Sequence, residues 1–538
     1  MNKNNNFNLE YIFFFLIFIW ILNFFFTLYT LPPNVDDALY FTQSFFFSYT
    51  NELAYKDGLN TYYDFSKFPV FPLFQGFFLK FLLFINFPID FYSYRIFTLI
   101  IFIFLIFCSF KLINSFIQEK ELLILLKCLF LVLISISPFS LNYMIVRPEL
   151  LGLSFLILGL YFYRLYKDSG KITNFFQEKH IFISGILISL SIFTHPMFFL
   201  INFFLIIFIL INDFKIKIFL FFALGLFIPF FVIASYYIYH LPYSLEQLLI
   251  NSSGFPYFGY FFSYIQTIFF ENNIYMNLIN AFYHIPYFLI FLYLIFLYLK
   301  KLIKKNNFEY YEKINFVLIF SIFITFFIER STYYNHSVFA IIILLILFYE
   351  FRKINFNFSR IIFFNYKLFV VLSIFCIFSW NIFHTLKYYL FKDQYLSNSK
   401  FINFKNSFLK NKKIFITRSE FIPYFLDEIE LNISSNFNNQ STIDWFFPIS
   451  SRAVTLNEIN RSKNIIEKKL RINNLSDYHW IIAKKNILND NNQNMCIRLD
   501  IISPENIDIS LNHYSMSYET KKYIVLNSKE ISLECDIT

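Results

Sequence analysis

The chain has 538 residues, of which 57% are hydrophobic and 85 are Phe, and its formal net charge is +9. A soluble domain of this length cannot bury so much apolar surface in one core, and apolar runs of about 20 residues, the length that crosses a bilayer, recur along the sequence. The composition therefore excludes a soluble protein and predicts a polytopic membrane protein. In such a protein the excess of Lys and Arg reflects cytoplasmic loops and not nucleic-acid binding.

The apolar segments predict eleven transmembrane helices. They lie near residues 11–31, 93–114, 121–139, 150–166, 180–195, 197–213, 217–239, 277–299, 314–330, 336–351 and 366–388. The first run has no small-residue cleavage site, which favours a retained helix over a signal peptide. A further segment, residues 68–87, begins with two prolines and carries Lys80 in its middle. This pattern favours a helix that lies flat at the membrane interface.

The distribution of charge supports eleven crossings. If residues 68–87 do not cross and the N-terminus is inside, most Lys and Arg between the spans fall in inside loops, and the outer loop 240–276 has none. A crossing at 68–87 would turn every later basic cluster outward, against the positive-inside bias. We therefore predict a membrane domain over residues 1–390, with outer loops at 32–92 and 240–276.

The composition changes after Leu390. Residues 391–538 are rich in Asn, Ser, Lys and Glu, and the stretches KKIFITR, HWIIAKK and KYIVLN alternate as strands do. They predict a soluble α/β domain that lies outside on the same topology. Cys496 and Cys535 belong to this tail and could pair in an oxidising compartment.

Two adjacent acids follow the first predicted helix, in the sequence LPPNVDDALYF at residues 31–41. Asp36 and Asp37 lie on the predicted outer face, where a partly desolvated carboxylate has a raised proton affinity and can act as a general base. The alternative is that an acid after the Pro-Pro turn caps the next helix. The sequence leaves both interpretations open.

Three other outer-face positions carry polar groups. In IVRPELLG, Arg147 could hold a phosphate by a bidentate contact, and Glu149 could orient Arg147 or act as a second acid. Alternatively, the two could form a local ion pair at a helix start. His195 lies in a tight turn, FTHPM. The sequence leaves open whether its role is functional or structural. In ERSTYYNHS, Arg330 is the second candidate for a phosphate and His336 follows it.

The order of these motifs resembles the GT-C glycosyltransferases, and most of all the group of dolichyl-phosphate-mannose–protein mannosyltransferases and lipid A aminoarabinose transferases. The resemblance covers roughly residues 1–350. It rests on PPNVDDALYF after the first helix, on FPVFPLFQGFFLKFL leading to a span with Arg95 near its start, and on SPFSLNYMIVRPELLGLSFLILGLYFYRLY. At Glu149 members of the group often carry Asp.

The resemblance implies an inverting transferase that moves a sugar from a polyprenyl-phosphate donor to a lipid, glycan or protein acceptor. It implies Asp36 or Asp37 as the general base, with Arg147 and Arg330 on the leaving lipid phosphate and Glu149, His195 and His336 in support. The protein would be a multi-pass protein of the bacterial inner (plasma) membrane, with an extracytoplasmic active site. Whether a divalent metal assists the acids is left open; no other cofactor is expected.

Other classes of membrane protein fit less well. A lipid-linked glycan flippase or polymerase usually has cations in a central cavity, and no predicted span contains a cluster of Lys or Arg. A secondary transporter would show two similar halves with broken helices at matching places, and the sequence shows no such symmetry. A membrane anchor whose tail binds a partner would leave the paired acids without a role.

Overall fold

A computed structural model describes the protein over a defined set of residues. These are residues 9–30, 35–53, 55–57, 60–62, 68–89, 93–135, 147–168, 174–212, 215–241, 244–245, 274–304, 308–328, 332–352, 370–379, 401–403, 405–409, 414–416, 424–425, 443–445, 480–484, 487–489, 495–502, 505–519 and 523–532. By its internal contacts the chain divides into two units, which are described separately. Unit 1 comprises residues 1–27, 98–236 and 255–383, and unit 2 comprises residues 28–97, 237–254 and 384–538.

The described part of the first 390 residues is mostly helical. In chain order the helices are α1 (Leu9–Thr30), α2 (Val35–Thr50), α3 (Val70–Phe84), α4 (Ser93–Phe116), α5 (Lys120–Ser135), α6 (Glu149–Asp168), α7 (Asn174–Ile192), α8 (Phe198–Asn212), α9 (Ile216–Tyr239), α10 (Ile274–Ile303), α11 (Tyr310–Ile328), α12 (Thr332–Phe351) and α13 (Val370–Ser379). A short hairpin, β1 (Tyr55–Asp57) with β2 (Asn60–Tyr62), separates α2 from α3.

Four stretches of helix among the described residues are long and apolar enough to cross a membrane. They are Arg95–Phe116, Glu149–Asp168, Ile216–Tyr239 and Ile285–Ile303. The chain is thus an integral membrane protein, as the composition predicts. Each of the eleven predicted segments overlaps a described helix, although only residues 370–379 of the last segment are described. The count of eleven crossings stays a prediction.

Helix α3 is shorter than the hydrocarbon core of a bilayer. Its 15 residues rise about 22 Å, whereas the core is about 30 Å thick. The predicted crossing α8 also has 15 residues, so the interfacial placement of α3 stays a prediction. Pro69 immediately precedes the helix and Pro72 lies in its first turn, as expected where no intrahelical N–H bond is needed. The amine of Lys80 contacts the Asn51 side-chain oxygen and lies 4.3 Å from the centre of the Phe47 ring, so this mid-helix cation is accommodated within unit 2.

Close backbone contact joins two helices of unit 1. A Cβ on Gly185 of α7 would lie 2.5 Å from the carbonyl oxygen of Phe222 on α9, and a Cβ on Gly225 would lie 2.3 Å from the Phe182 carbonyl oxygen. Small residues permit this approach in membrane proteins, where lipid is as apolar as a side chain and packing must supply the attraction. The Ser189 hydroxyl reinforces the contact by donating to the Leu226 carbonyl at 2.8 Å.

In unit 2, α2 packs on α3 through small and polar residues. A Cβ on Gly76 would lie 2.4 Å from the Phe47 ring, so the two helices meet closely at this point. Beside it the buried Ser44 hydroxyl donates to the Gln75 side-chain oxygen at 2.8 Å. Asn51 and Asn86, which follow α2 and α3, have positive φ values of 62° and 55°; Asn accepts this left-handed conformation, which commonly ends a helix.

The tail contains a mixed seven-stranded sheet. Its strands are β3 (Ile414–Ile416), β4 (Ile443–Trp445), β5 (Trp480–Lys484), β6 (Ile487–Asn489), β7 (Met495–Ile502), β8 (Glu505–Glu519) and β9 (Tyr523–Ser532). The order is β4-β3-β5-β9-β8-β7-β6, with β3 parallel to β4 and β5 and the other pairs antiparallel. The predicted stretches KKIFITR, HWIIAKK and KYIVLN contain β3, β5 and the start of β9. The boundary at residue 390 and the assignment of a soluble α/β domain stay predictions.

Candidate active site

Arg147 and Glu149 form a buried ion pair at the start of α6. Arg147 Nε donates to both carboxylate oxygens of Glu149 at 3.0 Å, and Nη2 donates to Oε1 at 2.5 Å. Pro148 lies between them, and its carbonyl accepts the Gly152 N–H at 3.1 Å. Because Pro fixes φ at a helical value and needs no hydrogen-bond acceptor there, it suits the first turn of a helix. The sequence therefore holds the two charged side chains side by side.

Burial makes this pair energetically important. Arg147 is 6% exposed and Glu149 is 1% exposed. A lone charge at either position would lose most of its hydration, which costs several kcal/mol. Each group thus depends on its partner, and the three hydrogen bonds between them offset the lost contact with water.

His195 approaches the same carboxylate from the turn between α7 and α8. Its Nε2 lies 3.6 Å from Glu149 Oε1. On the other side of the ring, Nδ1 accepts the backbone N–H of Met197 at 3.3 Å. A nitrogen that accepts a hydrogen bond carries no proton, so the neutral imidazole has its proton on Nε2, on the side of Glu149. Glu149 is thus flanked by a guanidinium and an imidazole N–H.

The turn that carries His195 is anchored in the interior of unit 1. The His195 carbonyl accepts the Phe198 N–H at 3.1 Å at the start of α8, and Asn202 donates to the Ser191 hydroxyl at 3.2 Å, which links α8 back to α7. The Phe198 ring lies against Gly152 of α6, where a Cβ would meet it at 2.3 Å. This packing fixes the position of the His195 turn beside the start of α6.

Asp36 and Asp37 are the second and third residues of α2, because that helix begins at Val35. The acids therefore lie in the first turn, where the helix dipole favours negative charge. The structure does not describe the side chains of these two residues. Both the predicted role as a base and the alternative of a capping acid stay open.

The structure does not describe the side chains of the two remaining candidates, Arg330 and His336. Arg330 is outside the described residues. His336 belongs to α12 by its backbone, but its side chain is not described. The prediction that the early acids and the later arginines share one cavity stays a prediction.

Sequence reasoning named Arg147, Glu149 and His195 separately but did not predict their common contact. The ion pair between Arg147 and Glu149 is one of the alternatives that the sequence predicts for these residues, beside a role in binding phosphate. The contact from His195 spans 46 positions of sequence, and no pattern in the chain signals it. Among the side chains that the structure describes, no group of three or more His, Cys, Asp or Glu is arranged to hold a metal ion.

Comparison with known proteins identifies the fold. No protein-family model matches the sequence, and no curated protein matches it. Among solved structures, ArnT from Cupriavidus metallidurans bound to undecaprenyl phosphate superposes with a TM-score of 0.57 at 8% identity, over 95% of this chain and 97% of that chain. The same protein in the apo state gives 0.53 at 10% identity with the same coverage. The Archaeoglobus fulgidus oligosaccharyltransferase in the apo form gives 0.48 at 12% identity, over 90% and 70%, which is too low to show a shared fold.

ArnT, a lipid A aminoarabinose transferase, is a GT-C fold glycosyltransferase. The likeness extends along nearly the whole of both chains. It confirms the resemblance read from the sequence motifs: this chain has the GT-C fold.

Proposed function

We propose that the chain is a membrane glycosyltransferase that moves a sugar from a polyprenyl-phosphate donor to an acceptor on the extracytoplasmic side. The observation that carries the proposal is the shared fold with ArnT, whose structure is bound to undecaprenyl phosphate. A donor of this kind lies in the bilayer with its phosphate at the interface. The reacting groups must therefore lie at that depth, which suits acids in the first turn of a helix that follows a predicted span.

In the proposed reaction Asp36 or Asp37 takes the proton from the acceptor hydroxyl as its oxygen attacks the anomeric carbon. The bond from that carbon to the phosphate oxygen breaks, and its electron pair leaves with the lipid phosphate. Attack from the face opposite the leaving group inverts the configuration. One carboxylate suffices as base, and the second can hold the acceptor or a divalent metal.

Arg147 and Arg330 are the proposed partners of the leaving phosphate, since developing charge must be stabilised as the bond breaks. Glu149 holds the Arg147 guanidinium by three hydrogen bonds, so the cation needs little reorganisation to meet a phosphate. His195 adds a second donor beside the same carboxylate. His336 is a further supporting candidate.

The proposal includes the predicted topology. Eleven spans with an inside N-terminus put the acids, Arg147 and the C-terminal α/β domain on the extracytoplasmic side. The charge distribution supports this arrangement, because the loops on the predicted outside are poor in Lys and Arg.

The experiment is a transfer assay with the purified full-length protein in lipid nanodiscs. A panel of polyprenyl-phosphate sugars is supplied with candidate acceptors, and release of polyprenyl phosphate is measured. We expect one donor to be consumed, and loss of at least one general base to lower kcat by about 10²–10⁴-fold. The variants are Asp36→Asn and Asp37→Asn.

Asp57→Asn is the matched control, because it makes the same chemical change elsewhere in the same outer loop, in strand β1. It should keep wild-type turnover. Wild-type turnover in both Asp36→Asn and Asp37→Asn would remove the base assignment. Absence of lipid phosphate release from every donor, with folded protein, would remove the proposed activity.

A further inference from the structure

The cluster of Arg147, Glu149 and His195 carries no net charge while the imidazole is neutral. Arg147 and Glu149 cancel each other, and both are buried, at 6% and 1% exposure. The donor of the proposed reaction is a phosphate diester with one negative charge, so its arrival beside Arg147 leaves one anionic charge in excess. A buried charge without a partner is costly, and the uptake of one proton by the cluster would remove that cost.

His195 is the member of the cluster that is suited to take up this proton. Histidine is the side chain whose charge ordinarily changes close to neutral pH. The Nε2 atom of His195 lies 3.6 Å from Glu149 Oε1, so a positive charge on the ring would lie beside a carboxylate. The side chain is 15% exposed, and a proton can therefore reach it from water.

The described surroundings of the His195 turn add no competing charge. The charged groups that act on Glu149 are Arg147 and His195. Several described helix segments pack around the turn through contacts of α7 with α8, of α8 with α11, and of Phe193 with Phe230 of α9. None of these segments contains an acidic or basic side chain; they are residues 181–192 of α7, 198–212 of α8, 218–239 of α9 and 314–328 of α11.

The hydrogen bonds around the ring are those of the neutral imidazole. His195 Nδ1 accepts the Met197 N–H at 3.3 Å, which a protonated Nδ1 cannot do. This bond is longer than most hydrogen bonds in proteins, so its loss costs little. The free protein thus favours the neutral ring, and a nearby anion shifts the balance toward the protonated ring.

We infer that binding of the lipid-linked donor is coupled to the uptake of one proton by His195, which turns the cluster from neutral to cationic as the phosphate arrives. The inference rests on the proposed role of Arg147 in holding the donor phosphate, and it adds the group that regulates this site. The proton comes from water, adds to Nδ1, and returns to water when the lipid leaves.

The sign of the coupling follows from the charges. Because an anion favours the protonated ring, the affinity for the donor is highest at low pH. It falls as the pH rises, from the pH at which the free protein loses the proton to the higher pH at which the complex loses it. At an effective dielectric constant of about 20, unit charges about 8 Å apart change a proton-binding constant by about 30-fold.

Equilibrium binding of radiolabelled methyl undecaprenyl phosphate to the purified full-length protein in detergent micelles tests the inference. This diester has one negative charge and does not titrate near neutral pH, whereas undecaprenyl phosphate is a monoester with a second pKa of about 6 and would itself exchange protons. The dissociation constant is measured from about pH 5.5 to about pH 8.5, where histidine titrates. We expect the affinity of the wild type to fall by roughly 5- to 30-fold over this range.

His195→Gln separates the charge of the ring from its structural role. Glutamine keeps a donor for Glu149 and an acceptor for the Met197 N–H, but it cannot take up a proton. At every pH this variant should bind the diester as weakly as the wild type does at the alkaline end. A purely structural role would instead lower the affinity by the same factor at every pH. His180→Gln is the matched control, since His180 lies toward the other end of α7, with its ring 5.9 Å from that of Phe162, and it should keep the pH dependence of the wild type.

Proton uptake by the wild type is a second measurement, which decides the question even if His195→Gln does not fold. A pH-indicator dye in weakly buffered solution near neutral pH should report roughly 0.3 to 1 proton taken up for each lipid bound. An affinity that does not change with pH, or binding without proton uptake, would overturn the inference.

The same pH dependence in His195→Gln as in the wild type would also overturn the inference, because the titrating group would then lie elsewhere, as at Asp36 or Asp37. Failure of the diester to bind at any pH would overturn it together with the proposed role of Arg147. The proposed activity is tested separately by the transfer assay: without transfer, binding that depends on pH through His195 would still support the coupling.

Discussion

Removing either member of the Arg147–Glu149 pair should destabilise the protein far more than removing both. Arg147→Met leaves the carboxylate of Glu149, which is 1% exposed, without its cation; Glu149→Leu leaves the guanidinium of Arg147, which is 6% exposed, without its carboxylate. Breaking a buried pair by removing one partner costs about 3–5 kcal/mol. At 25 °C this raises the unfolding equilibrium constant by roughly two to three and a half orders of magnitude.

The double variant should recover most of that loss. Replacement of a buried pair by apolar residues of similar volume is often neutral or stabilising, and here one further cost applies, because His195 Nε2 loses the carboxylate that lies 3.6 Å away. We therefore expect a coupling energy of several kcal/mol between the two positions, against a few tenths for independent sites.

The assay is reversible unfolding of the full-length protein in mixed micelles, followed by far-UV circular dichroism as the fraction of denaturing detergent rises. Lys217→Met is the control, because Lys217 pairs with Glu178 on the surface with its side chain 66% exposed. Exposed pairs contribute less than about 1 kcal/mol. Single losses below 1 kcal/mol at both Arg147 and Glu149, with additive effects in the double variant, would refute the argument that burial makes the pair interdependent.

Two further predictions test the packing and the sidedness. Gly185→Leu should destabilise the protein by about 1–3 kcal/mol in the same assay, since a Cβ at Gly185 would already lie 2.5 Å from the Phe222 carbonyl oxygen. The control Leu224→Ile, at a half-exposed position on α9, should be neutral. A neutral Gly185→Leu would contradict the close approach of α7 and α9. A cysteine in place of the exposed Lys304, with the native cysteines replaced, should react with a membrane-impermeant maleimide only after the cells are permeabilised. Labelling in intact cells would invert the predicted topology.

Sequence reasoning located the helices well because a bilayer imposes a length and a composition on every span. It was weaker at their ends. The segment predicted from residue 180 begins at Asn174, and the segment predicted at 277–299 runs over Ile274–Ile303. Helical hydrogen bonding continues into the polar residues beyond the apolar run, such as Lys300 and Lys301 at the end of α10, and hydropathy does not register them.

The candidate site divides in the same way. Local features were accessible, because Arg147 and Glu149 are two positions apart at a helix start and a local ion pair was one of the two predicted roles. The third member was not, since His195 reaches Glu149 only through the packing of α6 against α7 and α8, with Phe198 on Gly152.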